Sequence, residues 1–121
     1  MDIAVFEDLI QRASSARQEL RFAEAAEKFA VAADLAEETG HPTLAQSARN
    51  MARRALVVAW ARTKWPRSDL RDGDVHIDRS ESSKGGEIRY FGIYHPSTGR
   101  WTFVSVGRRG RVTEYRERRP R

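Results

Sequence analysis

Apolar positions recur every three or four residues through the first half of the chain. Phe6, Leu9, Ile10, Ala13, Arg17 and Leu20 fall at helical spacing over residues 2–20. A second stripe, Phe22, Ala25, Ala26, Phe29, Ala33 and Ala36, leaves Glu24, Glu27, Lys28 and Glu38 on the opposite side. These stripes make either one long helix or two helices broken near residues 20–21, where neither Gly nor Pro marks a stop. Gly40 suits a helix C′ position, and Pro42 follows it. Thr43 then opens a capping box with Gln46 three residues on. A third stripe carries Leu44, Ala48, Met51, Ala52, Ala55, Leu56, Ala59 and Trp60. It stops before Pro66, because a residue preceding proline avoids helical angles.

The period then changes from about 3.6 to 2. Residues 74–79 alternate apolar and polar, as a strand does, and 80–86 read as a polar loop. Residues 87–95 and 100–107 are rich in aromatic and β-branched side chains. Between them Pro96, Ser97, Thr98 and Gly99 make a hairpin turn. A four-residue turn pairs His95 with Arg100, Tyr94 with Trp101, Ile93 with Thr102, Gly92 with Phe103 and Phe91 with Val104. Arg108, Arg109 and Gly110 form a second turn before a last strand over 111–116. One sheet face then holds Phe91, Ile93, Val104 and Val106. The other holds Tyr90, Tyr94, Trp101 and Phe103. The aliphatic face is the expected core, and the aromatic face is expected to be partly exposed beside arginines. A slip of one residue would exchange the two faces. The predicted class is α+β, with three helices packed on a four-stranded antiparallel meander. A helical subdomain spans residues 1–65, a linker 66–73, the sheet 74–116 and a basic tail 117–121.

At 121 residues the chain is one ordinary domain or two small subdomains. It has no cysteine, which excludes disulfides, thiolate metal sites and cysteine nucleophiles. No apolar run approaches the roughly 18 residues of a membrane span. The acidic start, with no basic stretch before its apolar residues, is unlike a signal peptide, so a cytoplasmic protein without membrane contact is expected. Charge is divided unevenly. Residues 1–63 carry 8 Lys+Arg against 9 Asp+Glu, whereas 64–121 carry 14 against 8. Most of those later cations are arginines, whose forked donors suit phosphates and carboxylates.

No glycine-rich phosphate loop or hydrolase motif occurs, and no metal or other cofactor is expected. His41 stands at a helix start, and His95 borders the hairpin turn opposite Arg100. His76 shares a strand face with Asp78, a pairing that can orient an imidazole as a base.

Two resemblances add to these readings. Residues 7–38 resemble one tetratricopeptide repeat, with Ala13 as the small residue of the first helix and Phe22, Ala25, Phe29 and Ala32 in the second. Residues 43–63 resemble the first helix of a further repeat. Leu20 and Glu37 stand where that family carries glycine and proline. The resemblance implies a helical hairpin that binds peptides or proteins. Residues 87–116 are similar to the C-terminal sheet of RelE/ParE-type toxins, through residues 89–94, 104–107, Arg108, Arg109 and Tyr115. That similarity implies a metal-independent ribonuclease in which Arg89, Arg108, Arg109 and Tyr115 hold RNA and assist attack by its 2′-hydroxyl.

The expected function is a small non-enzymatic binding or adaptor protein. Its contact residues would be Tyr90, Tyr94, Arg100, Trp101, Phe103, Arg108, Arg109 and Arg111. The partner is a protein or a nucleic acid, RNA ahead of DNA, because Trp, Tyr and Arg serve both base stacking and protein hot spots. An edge strand at Val75 or Val112 offers a route to a homodimer.

Overall fold

A computed structural model describes residues 3–83, 86–107 and 110–115, and the side chains of these other than 78–83, 86, 87 and 115. Three helices precede a four-stranded antiparallel sheet, an α+β arrangement. They are α1 (Ile3–Gln18), α2 (Phe22–Glu38) and α3 (Pro42–Lys64). The strands are β1 (Val75–Ser83), β2 (Gly86–His95), β3 (Arg100–Val106) and β4 (Val112–Tyr115), entered through a 3-10 turn at Asp72–Asp74. The chain divides into two compact units between Ala59 and Trp60. That division falls inside α3, earlier than the helix stop at Pro66, so the last turn of α3 belongs with the sheet.

In the first unit, α1 and α2 end in the same way. Arg21 N–H donates to the Ala16 carbonyl at 2.8 Å and Leu20 N–H to that of Arg17 at 3.0 Å. His41 N–H donates to Ala36 at 2.8 Å and Gly40 N–H to Glu37 at 3.2 Å. Each pair closes a Schellman motif, whose C′ residue takes a left-handed conformation. Gly40 has φ 79° and Leu20 φ 63°. The two stripes are therefore two helices, and a leucine holds the conformation glycine favours.

The start of α3 differs from the capping box expected at Thr43. Pro42 is the first helical residue, where its missing N–H costs nothing. Ala45 N–H closes the first turn on the His41 carbonyl at 3.0 Å. The Gln46 amide donates forward to Asn50 Oδ1 at 3.2 Å.

The unit's apolar packing is built on alanine. Phe6 packs with Ala32, Ala33, Ala36, Ala45 and Ala48, flanked by Leu9, Ile10, Leu35 and Leu44. Phe29 packs with Ala13, Ala16, Ala25, Ala26 and Ala55. Small side chains let the helices approach closely, and the two phenylalanines fill what the alanines leave open. The Arg17 guanidinium covers the Phe29 ring at 5.4 Å.

In the second unit the strand order is β1-β2-β3-β4, a meander whose edges are β1 and β4. The β2–β3 register pairs His95 with Arg100, Tyr94 with Trp101, Ile93 with Thr102, Gly92 with Phe103 and Phe91 with Val104, as the turn length predicts. Gly99, at φ 72°, closes that turn by donating to the His95 carbonyl at 2.8 Å. Phe91, Ile93, Val104 and Val106 are buried, together with Ala61, Leu70 and Val75. The aliphatic face is thus this unit's core.

The polar loop expected over 80–86 needs correction. β1 runs to Ser83 and pairs onward to Gly86, with a register shift between Ile77 and Arg79. Backbone ladders need no apolar side chains, so a strand of Ser and Glu leaves no periodic trace in the sequence. The extra residue marks a β-bulge at position 78.

Candidate functional site

Register parity sets the composition of each face. His76 pairs with Gly92 and Gly92 with Phe103, while Tyr94 pairs with Trp101 and Tyr90 with Ser105. These residues therefore share the face opposite the aliphatic core. The indole of Trp101 lies beside Gly92: a Cβ there would stand 3.1 Å from Trp101 Cε3 and Cζ3, and 3.3 Å from Phe103 Cε1. Ring centroids of His76 and Tyr94 lie 5.3 and 5.2 Å from Trp101, both tilted. Phe103 lies 6.3 Å away and nearly parallel, at 10°. The indole is held on several sides yet stays 47% exposed, and His76 beside it is exposed too.

The expected contact set is brought together only in part. Tyr94, Trp101 and Phe103 form the cluster. Tyr90 shares the face but is 7% exposed, because it sits mid-strand in β2 with a neighbour strand on either side. It is a packing residue, which corrects its place among the contacts. Arg100 is exposed, but its pairing with His95 assigns it to the opposite face, one residue out of phase with Trp101. Arg111 is exposed, and its carbonyl accepts from Gly107 N–H at 3.1 Å. That pairing continues the ladder and puts position 111 on the aromatic face, at its far end. Arg108, Arg109 and the basic tail 117–121 lie outside the described residues.

The ribonuclease constellation does not assemble on one face. Arg89 pairs with Val106, and Val106 with Val112, so Arg89 is on the aliphatic side. Position 115 pairs with Phe103, on the aromatic side, and its side chain lies outside the described ones. His76 is also on the aromatic side, across the sheet from Arg89. The Asp78 side chain lies outside the described ones, and the bulge at 78 breaks the simple alternation that made it a partner for His76.

A second cluster of rings stands at one end of the aliphatic side. Trp60 and Trp65 meet edge to face at 5.7 Å, and Trp65 meets His95 likewise at 4.6 Å. The Lys64 ammonium lies 5.1 Å from the Trp60 ring and 5.2 Å from the Trp65 ring, and pairs with the Glu114 carboxylate. His95 Nε2 shares a hydrogen bond of 2.8 Å with Thr102 Oγ1. Burial lowers the His95 pKa, against the opposing pull of Asp74 and Glu114. Sequence reasoning did not single out Trp65. The available signal was two tryptophans five residues apart, flanking Lys64, at the end of a helix otherwise built on alanine.

Among the described residues, no group of three or more His, Asp or Glu side chains could hold a metal ion. No described helix is long and apolar enough to cross a membrane. His41 stands just before α3, with its Nδ1 3.4 Å from Thr39 Oγ1. No family model, curated protein or solved structure matches the chain.

Proposed function

We propose that the protein is a non-enzymatic binding module whose aromatic sheet face engages a polyanionic partner. The observation that carries this reading is the half-exposed indole of Trp101, fixed among His76, Tyr94 and Phe103. Burying the exposed half of such a ring would release roughly 2–3 kcal/mol at about 25 cal/mol per Å². A folded chain that leaves this unused, with the ring already oriented, has a surface prepared for contact. The polyanion follows from charge: the unit holding this face, residues 60–121, carries 15 Lys+Arg against 8 Asp+Glu, while residues 1–59 carry 7 against 9. A positive unit of this size draws polyanions by long-range attraction. The parity that separates His76 from Arg89 favours binding over general-base chemistry on RNA.

Fluorescence titration with long-chain inorganic polyphosphate tests the reading. Trp101→Phe identifies which part of the emission belongs to residue 101. The expected result is a change in the Trp101 signal at low salt, weakening steeply between about 50 and 200 mM salt as counterion release requires. A Trp101 signal that ignores polyanions at low salt refutes it.

A further inference from the structure

We infer that the polyanion is single-stranded RNA, with an unpaired base stacked on the Trp101 indole; this rests on the binding reading above. A polyanion needs only positive charge to be held, and the face offers something a featureless polyanion cannot use. Trp101 and Phe103 present nearly parallel rings, 10° apart, and Trp101 is 47% exposed. An aromatic ring exposed to that extent is suited to a flat conjugated group, and stacking on it is tolerant of which base is supplied. Duplexes close their base faces against each other, so only an unpaired strand can use the ring. RNA loops and single-stranded segments are where such bases stand exposed.

The arrangement of charge agrees with a strand crossing the face rather than a single anion. Arg111 stands at the far end of the face, six residues along the ladder from Trp101 by its pairing with Gly107. At about 3.3 Å per residue that is ~20 Å, a span several nucleotides long. Arg100, beside Trp101 in the chain, belongs to the opposite face and takes no part. A strand whose base rests on Trp101 thus meets the positive charge of Arg111 further along the same face. His76, exposed and against the indole, adds a ring donor at the edge of the same base position.

The test measures anisotropy of labelled ten-nucleotide strands at about 50 mM salt. The probes are an RNA, the same RNA made abasic, a duplex RNA and a DNA of the same sequence, each with the wild-type chain, Trp101→Ala and Trp101→Phe. Circular dichroism and thermal melting confirm that the variants are folded, and Trp101→Phe keeps a stacking ring if the alanine variant is not. The expected result is RNA binding about tenfold to a hundredfold more tightly than the abasic strand. That margin should vanish in Trp101→Ala and largely persist in Trp101→Phe. Equal binding of RNA and abasic strand overturns this inference while leaving the polyanion reading intact. Binding of duplex at least as tight as single strand also overturns it, as does a DNA strand bound tenfold more tightly than RNA. No binding of any strand overturns both readings.

Discussion

Leu20 offers a sharp test of how the helical hairpin is held. It occupies the C′ position of a Schellman motif at φ 63°, as Gly40 does at φ 79°. A residue with a Cβ in that conformation carries about 1–2 kcal/mol of strain that glycine does not. Leu20 is half-buried, so its side chain returns about 1 kcal/mol, half the value of a fully buried leucine. Leu20→Ala loses that burial and keeps the strain, a cost of about 1 kcal/mol. Leu20→Gly loses the same burial and relieves the strain, while the freer unfolded chain takes back about 0.5–1 kcal/mol. At the middle of these ranges glycine lies about 0.25 kcal/mol below the wild type and about 0.75 kcal/mol above the alanine variant. Gly40→Ala is the mirror experiment. Nothing lies within 4 Å of the Cβ it would add, so the net loss, about 0.75 kcal/mol, is backbone strain less the entropy that alanine removes from the unfolded chain. Urea unfolding followed by helical circular dichroism reads all three variants. If Leu20→Ala is as stable as Leu20→Gly, or Gly40→Ala has no effect, the left-handed residue carries no strain and the argument fails.

Two further outcomes follow from the second unit. Gly92→Ala puts a methyl group 3.1 Å from the Trp101 ring; because the indole is half-exposed it can swing outward, so the cost lies near the low end for overpacking, about 1 kcal/mol. The displaced ring should shift its emission to the red, and an unchanged spectrum with an unchanged melt would show that Trp101 does not rest on Gly92. His95 predicts a pH dependence: its folded pKa lies below the ordinary histidine value, chiefly through burial, so the unfolded chain takes up a proton first as pH falls. The stability it contributes is complete above about pH 6.5 and is lost as pH falls from there through the depressed folded value. Urea unfolding between pH 8 and 5 should show a smaller acid loss for His95→Asn than for the wild type; equal losses would remove His95 as the cause.

What could be read in the sequence separates cleanly by the range of the interaction that decides it. The β2–β3 register was legible because Pro96 and Gly99 fix a four-residue turn, and turn length fixes pairing. Parity then assigns every later side chain, which is why the aliphatic core and the Tyr94–Trp101 pair could be placed from residues alone. The same parity shows why Arg100 was misplaced: adjacency in sequence means opposite faces in a strand. The difference between Tyr90 and Trp101 was not legible. Both occupy one face, and only their place along the strand and across the sheet leaves one covered and the other open. The break at Leu20 was legible only as one of two alternatives, for another reason. Its two carbonyl-capping hydrogen bonds impose a conformation that leucine itself disfavours, so no residue preference announces it. Contacts such as Trp65 with His95 or Lys64 with Glu114 join positions 30 and 50 residues apart, and no periodicity encodes them. The functional reading is stronger for this separation. With Tyr90 packed and Arg100 and Arg89 on the other side, the described part of the aromatic face is one exposed indole with three supporting rings and Arg111 at its far end. A substitution at Trp101 therefore separates stacking from attraction by charge.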